Sequence, residues 1–217
     1  MLINEVYQLC LQLLAKNSGG GYFPPSEFSR YALLAQRKTI DELYQYLDYN
    51  QKVITLLSDV TKDSRIVVSN KRFSRPSDYY KFHSANSIAR NNQTDEWEET
   101  DIEYIGKSEL GSRLRSKIIP PTTTYPVITE DESGFRVDPE GVGLVDLIYI
   151  LNPEDPNWVA LDPNVVPPVF DPSSSTDFVL SDKFTNILVN YISQMFGLEV
   201  NDQLIIQATV QNLVKTV

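Results

Sequence analysis

The chain contains one cysteine and one histidine in 217 residues, and this scarcity excludes several kinds of site. A single cysteine, Cys10, cannot form an intramolecular disulfide, and the composition suits a reducing compartment. One cysteine and one histidine also cannot supply the ligands of a structural zinc site or of a three-histidine catalytic centre. We therefore expect no disulfide framework and no zinc chemistry, and we expect Cys10 to be a buried, inert thiol.

Long apolar runs and an excess of basic residues are also missing. No segment approaches the roughly 20 consecutive apolar residues of a membrane-spanning helix, and the first residues lack the basic and apolar regions of a signal peptide. The chain has 19 Lys and Arg against 29 Asp and Glu, a formal net charge of −10 at pH 7. Because this balance does not favour binding to phosphates, we expect no membrane contact and no direct sequence-specific contact with nucleic acid.

Motifs that carry catalysis are absent from the sequence. The Gly19–Gly21 run follows a helical pattern and not a strand, so it does not match a phosphate-binding loop. His83 lies near Asp78 and Ser84, but neighbours on one helix point in different directions and do not form a triad. The acidic run from Asp95 to Glu103 matches no calcium-binding loop. We predict that the chain is not an enzyme and that it uses no cofactor or metal.

Hydrophobic periodicity indicates helices at both ends of the chain. Apolar residues at i, i+3, i+4 and i+7 spacing predict a helix over Ile3–Leu14. They also predict a second, long or broken helix that is capped by Ser26 and runs to Leu47. Similar stripes over Phe184–Phe196 and Asn201–Val217 predict a C-terminal helical hairpin.

The middle of the chain has short β-branched runs between turn residues, which is typical of strands. Val53–Leu57 and Arg65–Ser69 suggest a hairpin, Tyr79–His83 a short aromatic helix, Asp101–Ile105 a strand, and Ser108–Ile118 a helix that ends at the following prolines. Three more strands are expected to form an antiparallel meander with the last one central: Tyr125–Thr129, Gly134–Val137 and Leu144–Leu151.

A proline-rich segment follows these strands. Six of the thirteen prolines lie between Asn152 and Asp177, which excludes a helix or a central strand. The segment also carries apolar side chains, including Trp158 and Phe170, so we expect an extended arm that lies on a protein surface. Two possibilities stay open: the arm covers the subunit's own sheet, or it orders on a neighbouring copy with these two aromatic residues as anchors.

Together these patterns predict an α+β fold with N-terminal helices, a central, mostly antiparallel β-sheet or meander, a proline-rich extended arm and a C-terminal helical hairpin. We predict a single structural domain over residues 1–217. Its parts are a helical N-terminal part (1–60), a mixed β/α core (61–151), the arm (152–180) and the C-terminal helices (181–217).

Charge is unevenly distributed along the chain. Residues 61–90 carry seven Lys and Arg against two Asp and Glu, whereas residues 91–110 carry one against seven. One explanation is a set of solvated faces that partly compensate each other. The other is a head-to-tail contact between identical subunits, in which a basic patch meets an acidic one. Under the second explanation, Arg113 and Arg115 are candidate interface residues.

Four sequence motifs occur in a characteristic order and spacing: Arg75–Tyr80, Ile102–Glu109, Pro120–Thr122 with Tyr125–Val127, and Ile148–Leu151 leading to Trp158. In these motifs the chain resembles the ring or collar proteins of crAss-like, short-tailed phages of Bacteroidales. The resemblance implies a structural virion protein that forms a homo-oligomeric ring in the head-to-tail connector or tail collar. It further implies assembly in the host bacterial cytoplasm, portal-matched rotational symmetry, and contacts with further copies, the portal and other tail or ring proteins.

Alternative functions stay open beside the ring. A small phage-encoded interaction module, such as a chaperone or inhibitor, would be monomeric or dimeric and absent from the particle. An enzyme that cleaves glycosides through the paired carboxylates of Asp131–Glu132 or Asp138–Glu140 is a further alternative. These acids fall in predicted turns, where a solvated surface is the default expectation.

Overall fold

A computed structural model of the chain describes residues 1–18, 23–47, 52–90, 97–162, 165 and 167–196. It contains helices and mostly antiparallel sheets, which confirms the predicted α+β class. The chain divides into two compact units, residues 1–60 with 153–217 and residues 61–152. We call them the helical unit and the β unit. A single structural domain over residues 1–217 stays a prediction.

The described part of the chain contains five α-helices and eight β-strands. The helices are α1 (Ile3–Ser18), α2 (Pro25–Gln45), α3 (Lys52–Leu56), α4 (Lys107–Arg115) and α5 (Thr185–Met195). The strands are β1 (Thr61–Val67), β2 (Arg72–Phe73), β3 (Tyr79–Arg90), β4 (Trp97–Asp101), β5 (Glu103–Tyr104), β6 (Val127–Asp131), β7 (Gly134–Asp138) and β8 (Leu144–Leu151). The predicted Asn201–Val217 helix lies outside the described residues. None of the described helices has the length and apolarity needed to cross a membrane.

The helical unit is held together by the apolar faces of α1, α2 and α5. Each face follows the helical period, and burial of one such aliphatic or aromatic side chain contributes about 1.5–3 kcal/mol. The Tyr191 hydroxyl of α5 donates to the Glu42 carboxylate of α2, and the Lys38 ammonium lies 4.0 Å from the Tyr191 ring centroid. The buried apolar residues of these helices include Ile3, Val6, Tyr7, Cys10, Phe28, Ala32, Ile40, Leu43, Ile187, Leu188 and Ile192.

Two local predictions in the helical unit are wrong. The residue that caps α2 is Pro24 and not Ser26, and Pro25 occupies the first turn, where the missing N–H costs nothing. Val53–Leu57, predicted as a strand, lies largely in α3. Val53, Leu56 and Leu57 are all buried, and their i, i+3, i+4 spacing fits one face of a helix as well as a short apolar strand does.

The proline-rich arm packs against α1 and α2 of its own chain. The backbone N–H of Trp158 donates to Ser29 Oγ at 2.9 Å, and its indole Nε1–H donates to Asn4 Oδ1 at 3.1 Å. The Trp158 side chain is 2% exposed, and its ring centroid lies 4.4 Å from that of Tyr7. The arm therefore covers helices of its own subunit, and the expectation that it covers a sheet is wrong.

Two polar side chains connect more distant parts of the arm to the helices. Gln36 of α2 is fully buried; its Nε2 donates to the Glu154 carbonyl at 3.0 Å, and its Oε1 accepts from the Val179 N–H at 2.9 Å. The carboxylate of Asp177 accepts from the Ile3 N–H at 2.8 Å, at the first turn of α1. Both contacts satisfy groups that are costly to leave unpaired.

The β unit contains two four-stranded sheets, ordered β1-β8-β3-β4 and β2-β7-β6-β5. β8 pairs with β1 on one side and with β3 on the other, which confirms that Leu144–Leu151 is central. Antiparallel β6 and β7 belong to the second sheet, where the short β5 pairs parallel to β6. The predicted meander of three consecutive strands and the predicted hairpin of Val53–Leu57 with Arg65–Ser69 are therefore wrong. Buried side chains of both sheets, including Phe73, Phe82, Ile128, Phe135, Val145, Leu147 and Tyr149, form one core.

Three further predictions in the β unit are corrected. Tyr79–His83 is the start of strand β3 and not a helix, because pairing with β8 outweighs a local helix-start signal; two register shifts there interrupt strand alternation. The expected Asp101–Ile105 strand is divided between the two sheets at buried Ile102. Helix α4 follows Gly106 and ends at Arg115, before the prolines, so Leu110 is buried while Ile118 lies beyond the helix and is 91% exposed.

The burial of Trp158 generates a stability prediction. We expect Trp158→Ala to lower the free energy of unfolding by about 3–5 kcal/mol, because it leaves a cavity and removes the hydrogen bond to Asn4. Val169→Ala, at an exposed position of the same arm, is the matched control and should change stability by less than about 0.5 kcal/mol. Urea unfolding followed by circular dichroism measures both. Equal stability of the two variants would show that the arm does not belong to the core.

Candidate interaction surfaces

A cleft of about 370 Å³ lies in the β unit beside the residues that follow α4. We call it the α4 cleft. Its walls combine charged side chains from β4, β5 and α4 with apolar side chains from the loop over residues 116–126. The lining residues are Asp101, Glu103, Arg113, Ile118, Ile119, Pro120, Thr122, Tyr125 and Pro126.

Local hydrogen bonds hold the loop of the α4 cleft in a defined shape. Ser116 Oγ accepts from the backbone N–H groups of Ile118 at 3.3 Å and Ile119 at 3.1 Å. Thr122 and Tyr125 exchange backbone hydrogen bonds at 3.2 and 3.1 Å. Helix α4, which precedes this loop, is anchored by Leu110. This residue belongs to a small buried cluster with Ile105 and Val127.

This ordered loop exposes large apolar side chains. The exposed fractions are 91% for Ile118, 55% for Ile119 and 71% for Tyr125. Leu114 of α4 is also exposed, at 39%. Contiguous exposed apolar groups beside polar ones are typical of an interaction site. Sequence reasoning missed these residues because their exposure depends on where α4 ends.

The two arginines predicted as interface residues have different surroundings. The Arg113 guanidinium donates to the Glu103 carboxylate inside the α4 cleft. Its buried Nε has no hydrogen-bond partner among the described residues. Arg115 is exposed, and the described part of the chain offers it no ion pair. Arg113 therefore contributes to the wall of the cleft, whereas Arg115 is displayed to solvent.

The basic residues between 61 and 90 are largely neutralised inside the β unit. Most of them form ion pairs with carboxylates that are distant in sequence, at 2.5–3.0 Å: Lys62–Asp78, Arg65–Asp146, Lys71–Asp138, Arg72–Asp131 and Arg75–Glu130. These contacts favour the explanation in which the segregated charges compensate each other within the subunit. They leave the residues around α4 as the better candidates for a charged contact with another chain.

One carboxylate of each pair in the enzymatic alternative is engaged in ion pairs: Asp131 with Arg72, and Asp138 with Lys71 and Arg136. Asp138 is buried, not solvated as its predicted turn implied, and it bonds to Lys71 and Arg136. Burial raises the pKa of Asp138, but the hydrogen bonds from Arg136 and Lys71 outweigh it, and the pKa is lowered overall. The pKa of Asp131 is also lowered. A general acid for glycoside cleavage needs a raised pKa, so these two groups match structural charges better.

The sequence predicted His83 near the end of a short helix, but His83 lies in strand β3. Its Nδ1 is 3.0 Å from Ser84 Oγ. The Asp78 carboxylate is engaged elsewhere, since it accepts from the Tyr149 hydroxyl at 2.7 Å and pairs with Lys62. Among the residues that the structure describes, no group of His, Cys, Asp and Glu is arranged to hold a metal ion. Asp95 and Glu96 of the acidic run lie outside these residues.

A second exposed apolar surface lies on the arm. We call its described residues, 159–162, 165 and 167–171, the arm loop. The Leu161 N–H donates to the Val169 carbonyl at 2.8 Å, and the Asp171 N–H donates to the Val159 carbonyl at 2.9 Å. These bonds bring two extended segments together and leave three aliphatic side chains exposed: Leu161 at 63%, Val165 at 44% and Val169 at 54%.

The two predicted arm anchors lie at the base of the arm loop. Trp158 is buried against α1 and α2, and the ring of half-buried Phe170 lies 5.5 Å from the Trp158 ring. Trp158 therefore attaches the arm to its own subunit, and the Phe170 ring packs on Trp158. The exposed aliphatic side chains of the arm loop are available to another molecule. The sequence did not single them out.

Neither a scan of protein-family models nor a search of curated proteins found a match to this chain. The two exposed apolar surfaces and the motif resemblance are therefore the features that bear on function. What these surfaces can do chemically is bind another macromolecule, because they combine exposed aliphatic groups with fixed backbone geometry.

The lowered pKa of Asp131 generates a pH prediction. Hydrogen bonds from the hydroxyl and N–H of Ser133, followed by one from Arg72, lower this pKa to about 2. Since the folded-state pKa lies below the ordinary value of 3.8, the carboxylate stabilises the fold above about pH 4, and this contribution is lost as the pH falls toward about 2. When the pH is lowered from about 4 to about 2, we expect the melting temperature of Asp131→Asn to fall less than that of the unsubstituted protein. Glu132→Gln is the control at an exposed neighbour, and an equal effect of both substitutions would contradict the assignment.

The contrast between Arg113 and Arg115 generates a further prediction. Arg113→Gln removes the contact with Glu103 and part of the cleft wall, so we expect the free energy of unfolding to fall by about 1 kcal/mol. Arg115→Gln should change it by less than about 0.5 kcal/mol. Urea unfolding at low and high salt measures both variants. If Arg115→Gln is the more destabilising substitution, the described geometry of α4 is wrong.

Proposed function

We propose that the chain is a structural virion protein that forms a homo-oligomeric ring in the head-to-tail connector or tail collar of a crAss-like, short-tailed phage. The observation that carries the proposal is the exposed, hydrogen-bonded apolar loop beside α4, with Ile118, Ile119 and Tyr125 at its surface. The motif resemblance supplies the biological setting, and the exposed surfaces supply a reason for assembly.

Apolar groups that stay exposed to water cost free energy, and a partner that covers them removes this cost. Isolated aliphatic side chains on a surface are ordinary, but a contiguous group on an ordered loop is typical of a site that another molecule covers. Here the loop is fixed by bonds to Ser116 and Thr122 before any partner binds. Such preorganisation lowers the entropic cost of association, because little ordering remains to be done in the complex.

The chain also carries two different exposed apolar surfaces, the α4 cleft and the arm loop. A subunit of a cyclic ring contacts one neighbour through one surface and the other neighbour through a different surface. In this proposal the partners are further copies of the chain, the portal and other tail or ring proteins. The ring follows the rotational symmetry of the portal, is assembled in the bacterial cytoplasm and remains in the virion.

Light scattering of the purified chain over a range of concentrations tests this proposal. We expect a species of defined, high stoichiometry that images as a closed ring. Ile118→Asp with Ile119→Asp should shift the protein toward monomer, because assembly would bury two carboxylates without partners. Val67→Asp is the matched control in the same unit, since Val67 is 70% exposed on β1. Circular dichroism establishes that each variant is folded.

The opposite outcome is also defined. A protein that stays monomeric or dimeric at all concentrations and is missing from purified particles by mass spectrometry contradicts the ring. That result favours the alternative of a small interaction module, such as a chaperone or inhibitor.

A further inference from the structure

We infer that the α4 cleft is a self-complementary surface through which two copies of the free protein form a two-fold symmetric dimer. In this dimer the acidic side of each cleft contacts the basic side of the other. The inference goes beyond the proposed ring, because it concerns the subunit before it joins an assembly. A two-fold contact closes after two copies, so a subunit that enters a ring has to exchange this contact for contacts with its neighbours.

The strand side of the α4 cleft is acidic. Asp101 of β4 lines the cleft and is exposed, and none of the described cations forms an ion pair with it. Glu99 lies two residues earlier on the same face of β4, and it is also exposed and without an ion pair to a described cation. Glu103 of β5 is the third acid of this side, but Arg113 neutralises it. The acidic side therefore keeps two carboxylates, Glu99 and Asp101, for a cation of another molecule.

The helix side of the α4 cleft is basic. Arg115 is the last residue of α4, and Lys117 follows it by two positions. Both are exposed, and the described part of the chain offers neither of them an ion pair. Most other cations of the β unit are neutralised by carboxylates of the same unit. The basic side therefore keeps two positive charges, Arg115 and Lys117, next to the apolar loop of the cleft.

The free charges of the two sides complement each other between two copies. Within one copy they form no ion pair with each other, although Glu103 and Arg113 do. When the acidic side of one cleft meets the basic side of a second, a two-fold rotation brings the remaining acidic and basic sides together as well. A head-to-tail contact through the same surface would leave one acidic and one basic side unpaired. Opposite charges therefore favour the two-fold arrangement.

Apolar contacts add to this charge complementarity. Ile118, Ile119 and Tyr125 line the cleft and are 91%, 55% and 71% exposed. A two-fold contact covers these side chains in both copies at once, and removal of apolar surface from water is the main favourable contribution in most protein associations. Because Ser116 already holds the loop through the N–H groups of Ile118 and Ile119, little further ordering is needed.

Charge exchange between the two sides tests the inference on the full-length protein. We expect Glu99→Lys with Asp101→Lys to raise the dimer dissociation constant at least about tenfold, because like charges then face each other. Arg115→Glu with Lys117→Glu should have the same effect. An equimolar mixture of the two double variants should form heterodimers, with a dissociation constant within about threefold of that of the unsubstituted protein, since acidic and basic sides meet again. Sedimentation velocity measures the constants, native mass spectrometry identifies the heterodimer, and circular dichroism establishes that each variant is folded.

A matched control changes the net charge by the same amount away from the cleft. Asp63→Lys with Glu132→Lys replaces two exposed acids of the β unit, and Asp63 lies on β1, at the opposite edge of the sheet from β4. This variant should change the dissociation constant by less than about threefold. Equal weakening by the control and by the Glu99 and Asp101 variant means that net charge alone governs association, and it overturns the inference.

Salt provides a second measurement that needs no substitution. The dimer of the unsubstituted protein should weaken between about 50 mM and about 500 mM sodium chloride, because salt screens the charges at the contact. A dimer whose dissociation constant stays the same over this range overturns the inference.

The remaining outcomes separate the inference from the proposed function. A protein that is monomeric at all concentrations overturns the inference, as do double variants that still form homodimers as tightly as the unsubstituted protein. Rings that form from monomers, without a dimer at any lower concentration, overturn the inference and leave the ring standing. Dimers with the expected response to charge exchange, without larger species and absent from purified particles, support the inference and contradict the ring.

Discussion

The helical unit depends on the contact of Trp158 with α1 through its indole and with α2 through its backbone, because this contact turns an extended, proline-rich segment into part of a core. Prolines keep the segment from forming a helix or a central strand, so it has few backbone hydrogen bonds of its own. Side chains of the helices replace them: Asn4 and Ser29 bind Trp158, and Gln36 binds the backbone on either side of the arm. With its base fixed in this way, the arm exposes the aliphatic groups of the arm loop to other molecules.

In the β unit, the fold brings basic and acidic residues that are segregated along the sequence into ion pairs. The bases of residues 61–90 and their partner acids lie on strands and turns that are adjacent only after the sheets form, as in the pair of Arg65 with Asp146 across β1 and β8. Exposed pairs of this kind contribute little individually. Their larger effect is to leave the basic residues around α4 as a distinct feature of the unit.

The sequence correctly predicted those helices and strands whose hydrophobic pattern fits only one type of secondary structure. α1, α2 and α5 have sustained helical periodicity, and β8 is the most apolar run, so it lies at the centre of its sheet. Val53–Leu57 was missed because three apolar residues at i, i+3 and i+4 fit either a strand or a helix. β3 was missed because its irregular register with β8 disrupts the alternation by which strands are recognised.

The interaction surfaces were only partly predictable for a similar reason. Arg113 and Arg115 are equivalent in sequence, but the fold directs Arg113 toward Glu103 and leaves Arg115 exposed. The arm was recognised from its composition, whereas the surface that it covers depends on contacts over more than a hundred positions, such as Trp158 with Asn4. Ile118 became a candidate only because α4 ends at Arg115 and not at the prolines.

The discontinuity of the helical unit has a consequence for folding during synthesis. Residues 61–152 form the β unit from one continuous stretch, whereas the helical unit combines residues 1–60 with residues after 152. At the first turn of α1, the Ile3 N–H donates a hydrogen bond to the carboxylate of Asp177, 174 positions away. A ribosome releases a complete β unit before it has made the second half of the helical unit. The first helices therefore emerge with their apolar faces uncovered, and the nascent chain depends on the later arrival of the arm and α5 to protect them from aggregation.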